Sequence, residues 1–184
     1  MPKAASEGCA FTVAKVTRVS SAIDELVANA VTHQADFEGP RPVIPAKHVA
    51  IVTCMDSRID MFRIFGLDSG YAHILRNAGG LVTDDMLRSL VLSQRLLQTR
   101  EIVLMHHTNC GLHGTDEDAL RATIQAETGD VPAYEFGAFK DVDEAVRNAL
   151  KRVVEHPFLP HRDHVRGFVY EVESGRVREV IRND

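Results

Sequence analysis

The chain has 184 residues, 45% hydrophobic and 26% charged, with a formal net charge of -5; this is enough for one globular domain with a real core. The absence of any Lys/Arg cluster argues against a nucleic-acid partner. No apolar run approaches the ~20 residues that span a bilayer, and the first two dozen residues lack the apolar stretch of a signal peptide. These features point to a cytoplasmic protein with no membrane partner.

In chain order, residues 1–19 read as an arm. "SSAIDELVANAVTHQADF" reads as a helix: Ser21 can cap it, and Ile23, Leu26, Val27, Ala30 and Val31 recur at helical spacing. "EGPRPVIPAK" ends it with three prolines. "HVAIVTC" is a short apolar β run and the first strand. "MFRIFGL" reads as a helical turn ending at Gly66. "AHILRNAGG" is a second strand entering a glycine-rich loop. "TDDMLRSLVLSQRLLQTR" is a helix capped by Thr83, with acids in its first turn and an arginine at its end. "EIVLMHH" is the third strand. "TDEDALRATIQAETG" is a capped helix ending at Gly129, and "DVDEAVRNALKRVVEH" is a further helix stopped before Pro157. "HVRGFVYEVESGRVREVIR" closes the chain as a hairpin turning at Ser174 and Gly175.

Strands alternating with helices predict an α/β fold with right-handed crossovers. The expected sheet is central and mostly parallel, with about four strands plus a C-terminal antiparallel edge strand. Helices flank it, and an N-terminal helical arm precedes it. The organisation expected is a single domain over 1–184, with residues 1–40 as arm and helix and 46–184 as the α/β core.

Sheets of this kind place their sites beyond the carboxyl ends of the strands, where strand order reverses. Cys54 closes the first strand, and His107 and Cys110 follow the third. If those strands are neighbours, with the second on the outside, the three residues meet there. The third cysteine, Cys9, lies in the arm. An odd cysteine count without a secretory signal does not make a disulfide framework.

Two thiolates and an imidazole satisfy Zn2+ and leave a fourth tetrahedral position over. Two thiolates also cancel the charge of the ion, which makes such a site tolerable in a cleft. Singly, each part has a plainer reading. A strand-end cysteine is usually a small buried hydrophobe, and a lone His-x-x-Cys is a weak signal. His106 is a rival to His107, and composition does not choose between them.

The stretch "CMDSR", residues 54–58, adds an acid and a base. Asp56 is the nearest residue able to take the fourth position. Arg58 can hold it off as a bidentate partner. The plain alternative for this pair is an ordinary local salt bridge.

"CMDSR" at 54–58 together with "HTNCG" at 107–111 resembles the β-class carbonic anhydrases, whose pattern is C-x-D-x-R followed by H-x-x-C-G. The resemblance spans about residues 20–182, including "RNAGG" at 76–80. It implies one Zn2+ per chain, held by Cys54, His107 and Cys110, which decides for His107 over His106. It implies Asp56 and Arg58 as the catalytic dyad. The activity implied is reversible hydration of carbon dioxide to bicarbonate and a proton, by attack of hydroxide generated at the zinc, which makes the chain a carbonate dehydratase, a zinc lyase. It also implies a homodimer or a dimer of dimers, with the helix from Ser21 as the arm.

Thiolates donate more charge to zinc than imidazoles do, so activity is expected to rise through the mildly alkaline range. The substrate-binding candidates are Gly111, placed after Cys110 to offer a backbone N–H to a substrate oxygen, and Gly79 and Gly80, which let backbone approach closely. His106 and His113 flank the site as proton-relay candidates. Carbonyl sulfide and carbon disulfide hydrolases resemble the same family and share its zinc ligands, so they are the alternative. A non-catalytic zinc domain with Asp56 as permanent fourth ligand is the third reading. The chain has no Trp, so the tryptophan-lined regulatory pocket of some family members does not carry over.

Overall fold

The computed structural model describes residues 21–182. The arm proposed over residues 1–19, with Cys9, lies outside them apart from the helix that follows. The chain divides into two compact units, Met1–Pro40 and Arg41–Asp184.

Within the first unit, α1 runs Ala22–Ala35. Ser21 caps it as the sequence predicts: its side chain accepts from Asp24 N at 3.2 Å, and the Asp24 carboxylate accepts from Ser21 N at 3.0 Å. This reciprocal box satisfies two amides that the first helical turn leaves without partners. The apolar residues Ile23, Leu26, Val27 and Val31 are all exposed.

The second unit is built on five strands: β1 (Val49–Cys54), β2 (Ala72–Asn77), β3 (Glu101–His107), β4 (Val165–Tyr170) and β5 (Val177–Val180). Their order is β2-β1-β3-β4-β5. The first four pair in parallel and β4–β5 is antiparallel. The expected α/β sheet is therefore present, and so is the arrangement the site requires. β1 and β3 are neighbours, β2 lies outside β1, and the chain reverses direction across the sheet between β1 and β3.

The helices follow their caps. α2 (Met61–Phe65) starts at Asp60, which accepts from the amides of Phe62 and Arg63, and ends at Gly66 in the left-handed region. α3 (Asp84–Arg95) is capped by Thr83. α4 (Glu117–Thr128) is capped by Asp116 and closed by Gly129 at φ 84°. α5 (Val142–Val154) is capped by Asp141. Each acidic or hydroxyl cap meets amides that have no partner inside the helix.

The sheet buries both faces, which is why β1 and β3 read as continuous apolar runs instead of alternating ones. One face carries Ala50, Val52, Ile102, Leu104 and Val169 against Leu87 and Leu90 of α3 and Val146, Leu150 and Val153 of α5. The other carries Ile51 and Met105, which cluster with Cys54 at the end of β1, with Ile59, Met61 and Leu67, and with the loop residue Cys110. Burying one such Leu or Ile side chain stabilises the fold by roughly 1.5–3 kcal/mol. Among the described residues, no helix is long and apolar enough to cross a membrane.

Candidate metal centre

Cys54 is the last residue of β1 and His107 the last of β3. Cys110 follows three residues on, past a tight loop. The donor atoms of Cys54, His107 and Cys110 all lie within 4.8 Å of one another, and all three residues are buried. Both cysteines are free thiols. The strand order thus brings together the residues that 53 positions of sequence keep apart.

The imidazole is presented for a metal. His107 Nδ1 lies 2.8 Å from the carbonyl oxygen of Thr108. A carbonyl only accepts, so the ring carries its proton on Nδ1 and leaves the Nε2 lone pair bare. Nε2 is buried with no hydrogen-bond partner. A buried acceptor in this position, facing two thiols, fits a soft divalent ion such as zinc. Burial pushes the Cys110 thiol up and the His107 imidazole down, and both shifts favour neutral donors until a cation compensates them.

His106 lies outside the donor cluster. Successive side chains of a strand point to opposite faces, and His106 follows Ile102 and Leu104 toward the α3–α5 side. It is 1% exposed, and neither ring nitrogen has a partner. Burial lowers its pKa to about 4. Its ring meets Phe139 edge-on, with centroids 6.1 Å apart. His113 stacks on the same Phe139 at 5.7 Å and is exposed. Of the two flanking histidines, only His113 reaches solvent.

Asp56 stands beside the cluster and is occupied by Arg58. Its Oδ1 accepts from the Arg58 backbone N–H and from Nε, each at 2.9 Å, and its Oδ2 accepts from Nη2 at 2.6 Å. This fork engages both carboxylate oxygens. Asp56 Oδ2 is 3.8 Å from His107 Nε2. The Arg58 hydrogen bond, more than any other influence, holds the Asp56 carboxyl far below the usual carboxylate range.

Two arginines hold the loop that carries the acid. Arg58 Nη2 also donates to Asn109 O at 2.9 Å, joining the β1 loop to the β3 loop. Arg76, at the end of β2, donates to Cys54 O at 2.9 Å, Ile59 O at 3.1 Å and Asp56 O at 2.6 Å. Sequence reasoning assigned no role to Arg76. Its place within "RNAGG", at the end of the strand beside β1, was the only signal available.

The predicted glycines occupy different positions. Gly80, at φ 68°, packs onto β1 so closely that a Cβ there would lie 2.9 Å from Cys54 N. Gly79, at φ 76°, faces Leu112, whose Cδ1 would lie 2.7 Å from an added Cβ. Gly111 is exposed, with open space where a Cβ would be.

A mostly parallel α/β sheet with a Cys-His-Cys cluster at its switch point, and an arginine-held aspartate beside it, defines a zinc-type α/β metalloprotein. The carbonic anhydrase family profile matches residues 49–177. The chain is 46% identical over 157 residues to beta-carbonic anhydrase 1 of Mycobacterium tuberculosis, covering 85% of this chain and 96% of that protein. It is 30% identical over 173 residues to a carbon disulfide hydrolase of Acidithiobacillus thiooxidans, covering 79% of this chain and 87% of the relative. A crystal structure of carbonic anhydrase from Streptococcus mutans superimposes with a TM-score of 0.82 at 39% identity, covering 89% of this chain and 99% of that one. The chain belongs to the carbonic anhydrase family, in its β class.

Proposed function

We propose that this protein is a zinc-dependent carbonate dehydratase, hydrating carbon dioxide reversibly to bicarbonate and a proton. The observation that carries this reading is the buried Cys54, His107 and Cys110 cluster with the Asp56 carboxylate gripped by Arg58 at its side. Cys54, His107 and Cys110 hold the metal, one per chain. Zinc in such a donor set would supply Lewis acidity that lowers the pKa of water toward the neutral range.

The chain's own residues do the rest. Asp56, kept ionised by Arg58, accepts a hydrogen bond from the attacking oxygen and turns its lone pair toward the carbon of carbon dioxide. Arg58 keeps both carboxylate oxygens engaged, which leaves Asp56 an acceptor for water in place of a metal ligand. Gly111 offers its exposed backbone to the substrate oxygens. Gly80 acts by letting the loop after β2 close on the end of β1, and Gly79 by letting that loop close on Leu112. The functional unit of the chain is one catalytic domain over 46–184, preceded by the arm.

A homodimer, or a dimer of dimers, is the assembly proposed. Its support is α1, whose Ile23, Leu26 and Val31 are each at least 65% exposed, an apolar stripe that favours burial against a second copy. The cytoplasm is the compartment proposed.

Carbon disulfide hydrolysis is the second reading, supported by the relative bearing that name at 30% identity. The higher identity and fuller coverage of the mycobacterial relative favour carbon dioxide. Stopped-flow carbon dioxide hydration with and without a chelator, run beside sulfide release from carbonyl sulfide and carbon disulfide, tests the choice. Chelator-sensitive hydration is expected. Sulfide release without hydration selects the second reading, and neither activity with zinc bound at alkaline pH leaves a structural zinc domain.

A further inference from the structure

The loop between His107 and Cys110 is held from outside by an acid in the β4–β5 turn. Thr108 Oγ1 donates to Glu173 Oε2 at 2.6 Å, and Asn109 Nδ2 donates to Glu173 Oε1 at 2.7 Å. Thr108 Oγ1 in turn accepts from Val172 N at 3.0 Å, and Thr108 N donates to Tyr170 O at 3.0 Å. The β3–β4 ladder therefore continues one residue past its last strand pair, and Glu173 extends the clamp over the next residue.

These two loop residues each pass their position to the site through a carbonyl. The Thr108 carbonyl accepts from His107 Nδ1 at 2.8 Å and sets the tautomer of the metal ligand. The Asn109 carbonyl accepts from Arg58 Nη2 at 2.9 Å and places the guanidinium that grips Asp56. Asn109 has φ 53°, a left-handed conformation that Asn tolerates better than most residues but that still needs support. Its side-chain amide bonded to Glu173 provides that support.

We propose that Glu173 is a positioning residue for both halves of the site, orienting the His107 imidazole through Thr108 and the Arg58–Asp56 fork through Asn109. This rests on the carbonate dehydratase reading for its kinetic consequence alone. Glu173 touches neither substrate nor metal. A plain turn-stabilising role would leave the zinc and the kinetics alone once the protein is folded.

The test is a polarity-exchange cycle on zinc-loaded full-length protein. Glu173→Ala removes both acceptors. Asn109→Asp sets two carboxylates against each other. Asn109→Asp with Glu173→Gln restores the pair with donor and acceptor exchanged, and leaves the Gln oxygen for Thr108. Three readouts are taken: zinc release to a chelating dye, kcat and KM.

Glu173→Ala and Asn109→Asp are each expected to speed zinc release about tenfold and lower kcat about tenfold, with KM little changed, which is the usual cost of losing support behind a metal ligand. The double variant is expected to recover most of both. Zinc release and kcat that stay within about twofold of wild type in Glu173→Ala overturn the proposal. So does a double variant no better than the worse single one. Should Glu173→Ala fail to fold, Glu173→Gln and the exchange pair carry the same comparison. Wild-type protein inactive on carbon dioxide overturns the activity reading instead, while zinc release still decides the role of Glu173.

Discussion

Asp56 and Arg58 are joined by two parallel side-chain hydrogen bonds, Nε to Oδ1 at 2.9 Å and Nη2 to Oδ2 at 2.6 Å, while the same Nη2 reaches Asn109 O. Two residues apart in sequence, they form a fork beside the Cys54, His107 and Cys110 cluster, with Asp56 Oδ2 3.8 Å from His107 Nε2. The side chain of Asp56 is 17% exposed and that of Arg58 49%. The acid is thus the sheltered partner, and the base is reached from solvent.

Replacing either member of this fork separates binding from turnover. Asp56→Asn and Arg58→Ala are expected to keep one zinc per chain, since neither belongs to the ligand cluster. Each is expected to lose about 100-fold or more in kcat, the scale of a lost proton-handling group. Zinc by mass spectrometry and stopped-flow hydration check both halves. Full activity in both variants removes the dyad from the mechanism.

The two adjacent histidines answer oppositely to substitution. His107→Ala is expected to lose zinc. His106→Leu is expected to keep zinc and to leave the melting temperature level or raise it, because it replaces a buried ring whose nitrogens have no partners. Metal content and thermal melts of the two variants check the pair.

Removing the metal is expected to lower thermal stability, since a ligand bound only by the folded state stabilises it by mass action. Dialysis against a chelator followed by zinc titration measures the shift. Cys54→Ser and Cys110→Ser are expected to melt like the metal-free protein and to gain little from added zinc. An unchanged melt on zinc removal speaks against the buried cluster as the binding site.

Gly80→Ala is expected to destabilise the protein by roughly 2 kcal/mol, from overpacking combined with positive φ. The added Cβ has nowhere to go: it would meet the backbone of Thr53 and Cys54, not a movable side-chain tip. The same substitution is expected to weaken zinc binding, because the strain falls on the ligand strand. Gly129→Ala, whose Cβ meets nothing within 4 Å, is the control that carries the φ cost alone.

Acid stability follows the carboxylates held by arginine. Asp143 is joined to Arg178 by hydrogen bonds of 2.5 and 3.0 Å, which lower its pKa. A group with a depressed folded pKa stabilises the fold fully above its unfolded value of about 3.9. That contribution is lost as pH falls through the folded value. Asp143→Asn is expected to cost about 1 kcal/mol near neutral pH and progressively less as pH drops below ~4. Urea melts at several pH values check the sign.

Much of the site was legible in sequence because its parts are local. The cap residues Ser21 and Thr83 sit where the helices begin. Cys54 and His107 sit where apolar runs end. Asp56 and Arg58 lie so near Cys54 that their pairing needed no fold to be suspected. Glu173 and Arg76 were not legible, since each acts on backbone carbonyls or side chains far away in sequence, and such partners leave no spacing to read.

The sequence by itself determined the elements, their caps, the parallel sheet and the chemistry of the donor set, because these depend on periodicity and on residue type. Strand order decided the rest. Only with β1 beside β3 do Cys54, His107 and Cys110 converge, and only the alternation along β3 sends His107 to the metal side and His106 into the core. The resemblance to the family had named His107; the pleat supplies the physical reason. The anchorage of Arg58 through Asn109 to Glu173 exists because the β4–β5 turn folds back onto the loop after β3.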